Sequence, residues 1–221
     1  MKIKELKERH PSVFQRLYDE WYPHADYYDW WDSIIKDAVT QGEERGFSIS
    51  TNNSGRTSFY FSGFCSQGDG ASWEGTIDVP KWVEWAKANG GAPFTDMQLL
   101  WMQEAWRNDF LGTSLSVTTS GNYSHSGMMR LDYDLECGEE YVPEVQEGVF
   151  KGMDAETFVI EFRKLVGSEI EEEVFRAAQA FADDYYKILE EEHDYLTSEE
   201  CFIEQMQDIE YDEEGEEIEN V

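Results

Sequence analysis

The chain has 221 residues, 48 acidic against 17 basic, for a formal net charge of -31, with 40% hydrophobic and 15% aromatic residues. That apolar content suffices for a globular core, while the charge argues against direct binding to a nucleic acid backbone or an anionic membrane face, since both repel a polyanion. Three cysteines, Cys65, Cys137 and Cys201, lack C-x-x-C spacing and give neither a disulfide framework nor a zinc ribbon. The opening MKIKELKERH has no apolar secretory core, and no apolar run approaches the ~20 residues of a membrane span, so the chain reads as cytoplasmic.

In chain order, the periodicity predicts a helix from Ile3 to Tyr18 with a break at Pro11, then a second from Asp26 to about Arg45, striped by Tyr27, Trp31, Ile34, Ile35 and Ala38. Aromatic-rich Thr57 to Phe64 reads as a buried strand, and Trp73, Gly75, Ile77 and Val79 alternate with polar residues as its hairpin partner. Pro80 suits the first turn of a short helix that stops at Asn89 and the glycines after it. Thr95 with Gln98 caps a further helix from Asp96 to Asn108. Strand alternation returns at Leu115 and Val117 and again at Met129, Leu131, Tyr133 and Leu135, around the turn GNYSHSG. A helix from Ala155 to Val166, a long amphipathic helix from Ser168 to about Leu196 and a short one capped by Thr197 complete the pattern. The fold class is therefore α+β, with an antiparallel sheet of about four strands in two hairpins. Residues 1–207 are expected to form one domain, followed by an acidic, mobile tail over 208–221.

Charge is unevenly spread. Residues 135–221 hold 29 acidic and 5 basic side chains, whereas residues 47–134 have an ordinary surface balance. Such asymmetry points to an interaction surface. Its candidate members are Glu190, Glu191, Glu192, Asp194, Glu199 and Glu200 on the helical part, and Asp212, Glu213, Glu214, Glu216 and Glu217 beyond it.

Two Gly-rich segments lie between the paired strands: SGFCSQGDGASWEG from Ser62 and SGNYSHSGMM from Ser120. With YLTSEE at Tyr195 to Glu200, they are similar to a family of uncharacterised bacteriophage and prophage proteins often labelled as antitoxins. The resemblance runs from about Trp30 to Tyr211. Trp73 stands where that family usually has Phe. The resemblance implies phage or mobile-element origin, a host-cell cytoplasmic setting and neutralisation of a toxic or defensive protein. It implies no reaction.

From the residues themselves, Gly68 and Gly70 give close backbone approach, and Asp69 supplies a carboxylate. If both hairpin loops fall at one end of the sheet, Ser66, Gln67, Asp69, His125 and Ser126 meet there. They then form a structural turn whose polar side chains bond to loop backbone, a contact for ligand or partner, or an acid and base pair built from Asp69 and His125. Cys65 and His125 lack supporting ligands at metal-site spacing, so neither metal nor cofactor is expected. Three functions follow as expectations. The first is an inhibitor that mimics DNA and occupies the nucleic-acid-binding surface of a basic host protein, such as a nuclease or other defence protein. The second is a small enzyme or nucleotide-binding protein working through loops 62–72 and 120–127. The third is an antitoxin for one cognate toxin.

Overall fold

The computed structural model describes residues 1–25, 29–91, 93–121, 123–132, 144–166 and 169–218. Pro11 lacks a backbone N–H and therefore sits at the start of a helix rather than inside one. It separates α1 (Ile3–Arg9) from α2 (Pro11–Trp21). After a 3-10 turn at Tyr22–His24, α3 spans Asp32–Glu44. The helix start expected at Asp26, and Tyr27 on its stripe, lie outside the described residues.

The strands are β1 (Phe47–Ile49), β2 (Phe59–Ser62), β3 (Gly70–Trp73) and β4 (Gly75–Asp78). Two helices follow, α4 (Val79–Ala88) and α5 (Asp96–Arg107), then β5 (Ser114–Thr119) and β6 (Met129–Asp132). The C-terminal helices are α6 (Ala155–Leu165), α7 (Glu169–Leu196) and α8 (Glu199–Gln205). The protein is α+β, with a four-stranded antiparallel sheet in the order β1-β4-β5-β6 and a two-stranded sheet of β2 and β3. The expected hairpin of β5 and β6 exists, but the first is made differently: β2 pairs with Gly70–Trp73, and the strand expected from Trp73 to Val79 is divided. Trp73 pairs with Phe59 in the small sheet, whereas Gly75 pairs with Val117 and Ile49 in the large one. The chain changes sheets at Glu74. Tyr133, Leu135, Cys137, Gly167 and Ser168 lie outside the described residues.

The chain divides into two compact units. The larger runs from Ile35 to Tyr186 and holds both sheets. There Trp73 is fully buried, donates its indole N–H to the Ala178 carbonyl of α7 at 3.2 Å, and stacks obliquely on Phe47. Phe181 meets both rings edge-on. Arg45 lies over Trp85 and Phe181, about 5 Å from each ring centroid, a cation–π arrangement in which both rings face one guanidinium. A second aromatic group joins Trp101 of α5 to Phe150 and Phe158 at 4.2 and 4.7 Å.

The smaller unit combines residues 1–34 with residues 187–221. Its core is Ile3, Leu6, Phe14, Phe202 and Tyr211. The Phe202 ring of α8 touches Phe14, Tyr18 and Trp21 of α2 at 5.2 to 5.7 Å. Residues 209–218, which composition assigns to a mobile tail, form a small clasp. Tyr211 N donates to Met1 O, Lys2 bridges to Glu210, and Ile218 N donates to Glu210 O. Gly215, at φ +87°, is buried against Val13 and Leu17 of α2. Tyr211 is buried in the core at 3% exposure, and Ile209 packs against it partly buried. Among the described residues no helix is long and apolar enough to cross a membrane.

Candidate functional site

The two Gly-rich segments close the hairpins of the larger unit and meet one another. In the first, Ser62 pairs with Gly70, and residues 63–69 form the loop. Gly63 and Gly68 adopt φ of +51° and +102°, the left-handed region open to glycine. Asp69 turns its carboxylate back into this loop, where Oδ2 accepts from Cys65 N at 3.0 Å and Ser66 N at 2.5 Å. That is the way an aspartate stabilises a turn. On the outside of the loop, Tyr186 of α7 donates its hydroxyl to Gly63 O at 3.2 Å, and its ring stacks on Phe64 at 5.6 Å.

In the second loop, His125 caps the short 3-10 turn Ser126–Met128, with Nδ1 accepting from Gly127 N at 3.1 Å. An accepting Nδ1 leaves the proton of a neutral ring on Nε2. Gln179 of α7 donates to Ser126 O at 3.0 Å, and Arg130 donates to Gly127 O at 3.0 Å. The loops touch through their glycines. Gly70 lies beneath His125, whose Cβ is 2.5 Å from where a Cβ on Gly70 would stand, and Gly68 lies 3.5 Å from the Tyr123 ring on the same construction. Both candidate catalytic residues thus sit in adjoining loops, each with a polar atom already bonded to backbone. Ser66 and Gln67 are exposed on the first loop, and Ser126 is half-buried on the second. Cys65 is an exposed free thiol. No cluster of three or more His, Cys, Asp or Glu able to hold a metal ion occurs among the described residues.

Glu74 escaped the sequence reading, which took it for an outward residue of an alternating strand. At the change of sheets its Oε1 accepts from the Thr119 hydroxyl at 2.6 Å and from Thr119 N at 3.3 Å, and Oε2 accepts from Tyr60 OH at 3.3 Å. Its backbone N–H donates to Ser58 O and its carbonyl accepts from Ser50 N. The interruption of alternation by Gly75 is the sequence signal for this switch. Tyr185, an apolar position of α7, is buried in the core. Its hydroxyl donates to Asp37 at 2.6 Å, and burial, reinforced by that carboxylate, pushes the phenol well above its usual range.

The eleven candidate acidic residues all fall in the smaller unit. Glu191, Glu192 and Asp194 are exposed on the last turns of α7 and Glu190 is half-buried there. Two of the eleven serve the fold. Glu199 pairs with Lys7 at 2.5 Å, and Asp212 Oδ1 accepts from Glu214 N and Glu216 N at 2.9 Å each. Backbone donors, led by Glu216 N–H, hold the Asp212 carboxyl below its usual range. Glu200, Glu213, Glu214, Glu216 and Glu217 are exposed. Ser198, rather than the expected Thr197, caps α8, accepting from Cys201 N at 3.1 Å.

Neither the curated proteins nor the solved structures contain a match to this chain. The model of a domain of unknown function, DUF8835, matches residues 30–199, a span that includes both Gly-rich loops and all of α7. That match covers most of the sequence, and the chain therefore belongs to the DUF8835 family.

Proposed function

We propose that this protein is a phage-encoded acidic inhibitor that occupies the nucleic-acid-binding surface of a basic host defence or toxic protein. The observation that carries this reading is the C-terminal end of α7. Four carboxylates, Glu190, Glu191, Glu192 and Asp194, crowd its last two turns, where the one basic residue of the final turn is His193. A helix C-terminus already bears negative partial charge, so each carboxylate there works against local stability by about 0.3–1 kcal/mol. Charge placed at a cost to the fold is charge kept for another purpose. These four groups span about 6 Å of helix axis at 1.5 Å per residue, roughly one charge per 2 Å, against about 1.7 Å for duplex DNA. The resemblance of the Gly-rich strings to phage and prophage proteins supports the setting. The enzymatic alternative asks of Asp69 and His125 polar atoms that already hold backbone N–H groups.

Truncation after Leu196 is a poor test, because it removes Phe202 and Tyr211 from a core. Substitution is cleaner. Host proteins retained on the immobilised protein should elute with salt and with duplex DNA, and the combined variant Glu191→Gln, Glu192→Gln, Asp194→Asn should lose them while still folding. A partner that holds DNA and this protein at the same time would sink the mimicry.

A further inference from the structure

The same stretch of α7 carries apolar surface that the fold leaves exposed. Its inner face is already anchored, with Leu189 fully buried and the His193 side chain only 20% exposed. Yet Ile188 and Tyr195 are each 42% exposed. Seven residues apart, they lie on one face of the helix about 10.5 Å from each other, with Glu191 and Glu192 between them. Single exposed apolar residues are ordinary. Two in heptad register, framed by exposed carboxylates, make a pattern with an apolar centre and a charged rim, as contact surfaces have. Isoleucine is also a poorer helix former than the lysine or glutamate an exposed position accepts without cost. Tyr195 is held in place, since its hydroxyl donates to Glu204 of α8 at 2.7 Å.

We infer that the exposed face of α7 formed by Ile188, Glu191, Glu192 and Tyr195 docks a cationic amphipathic helix of the partner, whose apolar stripe covers Ile188 and Tyr195 while its lysines and arginines meet the carboxylates. Charge complementarity selects this occupant: an apolar surface framed by anions accepts an apolar stripe framed by cations, and like-charged copies of this chain repel one another. The inference rests on the acidic-surface reading above and sharpens it. Helices that carry basic residues are among the elements that nucleic-acid-binding proteins present to DNA.

The test uses two probes on the full chain: poly-lysine, which offers charge alone, and a helical leucine–lysine peptide of equal charge with leucines at three- and four-residue spacing. The amphipathic peptide should bind roughly tenfold tighter than poly-lysine and keep that advantage at high salt. Ile188→Ser with Tyr195→Ser should erase the advantage and leave poly-lysine binding unchanged, with circular dichroism verifying the fold, and Ile188→Leu should preserve it. Equal affinity for the two probes, or a double variant that binds the peptide as the parent does, would overturn the apolar docking alone. Binding of both probes unaltered by Glu191→Gln with Glu192→Gln would overturn the docking and the acidic-surface reading together.

Discussion

Gly70 lies directly beneath His125, so close that a Cβ on the glycine would stand 2.5 Å from the histidine Cβ and 3.0 Å from its Cα. These neighbours are fixed by backbone, so neither can swing aside. Gly70→Ala should therefore push the two hairpin loops apart and destabilise the protein by about 1–3 kcal/mol, the usual penalty for overpacking. Urea denaturation measures the loss, and a shift in the His125 ring resonances reports the separation of the loops. An alanine variant as stable as the parent would show that the loops do not abut.

Asp69 separates a turn-forming role from a chemical one. Its carboxylate satisfies Cys65 N and Ser66 N. Asp69→Asn keeps an acceptor oxygen, and Asp69→Ala removes it, so the alanine variant should be the less stable by about 1 kcal/mol, the net worth of such a bond. Thermal melts of the two variants against the parent decide the point. A role in proton transfer would instead make the asparagine and alanine variants equally inactive at unequal stability.

The elements that could be read from sequence were those fixed by neighbouring residues. Thr95 and Gln98 form the expected capping box, with Thr95 accepting from Gln98 N and the Gln98 side chain accepting from Thr95 N. Pro11 divides the first helix where its missing N–H requires. Long-range pairing was less legible. Phe47–Ile49 is only three residues long, too short for alternation to show, and becomes a strand because Ile77, Thr76 and Gly75 pair with it. Glu74 looked like one more polar residue because nothing local announces that Thr119 supplies its partners. The meeting of the SQGDG and HSG loops was anticipated, and so was a turn whose polar side chains bond to loop backbone; which N–H groups Asp69 and His125 accept from was not legible, since it depends on loop conformation. Composition hid the clasp at residues 209–218, whose anchor, Tyr211, is stabilised by helices nearly the whole chain away.

Gly148 combines two constraints. It has φ +87°, and a Cβ there would enter the space of the Glu104 carboxylate and the Arg107 guanidinium. Glu104 is 1% exposed and accepts from Val149 N at 2.9 Å, while Asn108 Oδ1 accepts from Gln146 N and Glu147 N. Gly148→Ala should cost about 2–5 kcal/mol, the sum of a left-handed residue and an overpacked site. Gly152→Ala is the control, because Gly152 has φ +83° with nothing within 4 Å of the added Cβ. It should lose only about 1–2 kcal/mol. Equal losses in the two urea series would remove the collision with Glu104 from the account.

Tyr195 and Glu204 give a titration with a defined sign. The hydrogen bond to Glu204, aided by neighbouring negative charge, pushes the phenol up to about 12. A bond donated by the neutral phenol is fully present below the unfolded value near 10 and is lost as the pH rises through the folded value. The α7–α8 contact should therefore loosen only in strong alkali and be unaffected near neutrality. Ultraviolet absorbance of the phenolate, taken as the difference between the parent and Tyr195→Phe, should give a midpoint near 12 for this residue. Glu204→Gln should move that midpoint toward 10, because the amide oxygen still accepts the hydrogen bond but no longer opposes the phenolate charge. An unmoved midpoint in Glu204→Gln would mean that the surrounding carboxylates, rather than this single partner, hold the phenol protonated.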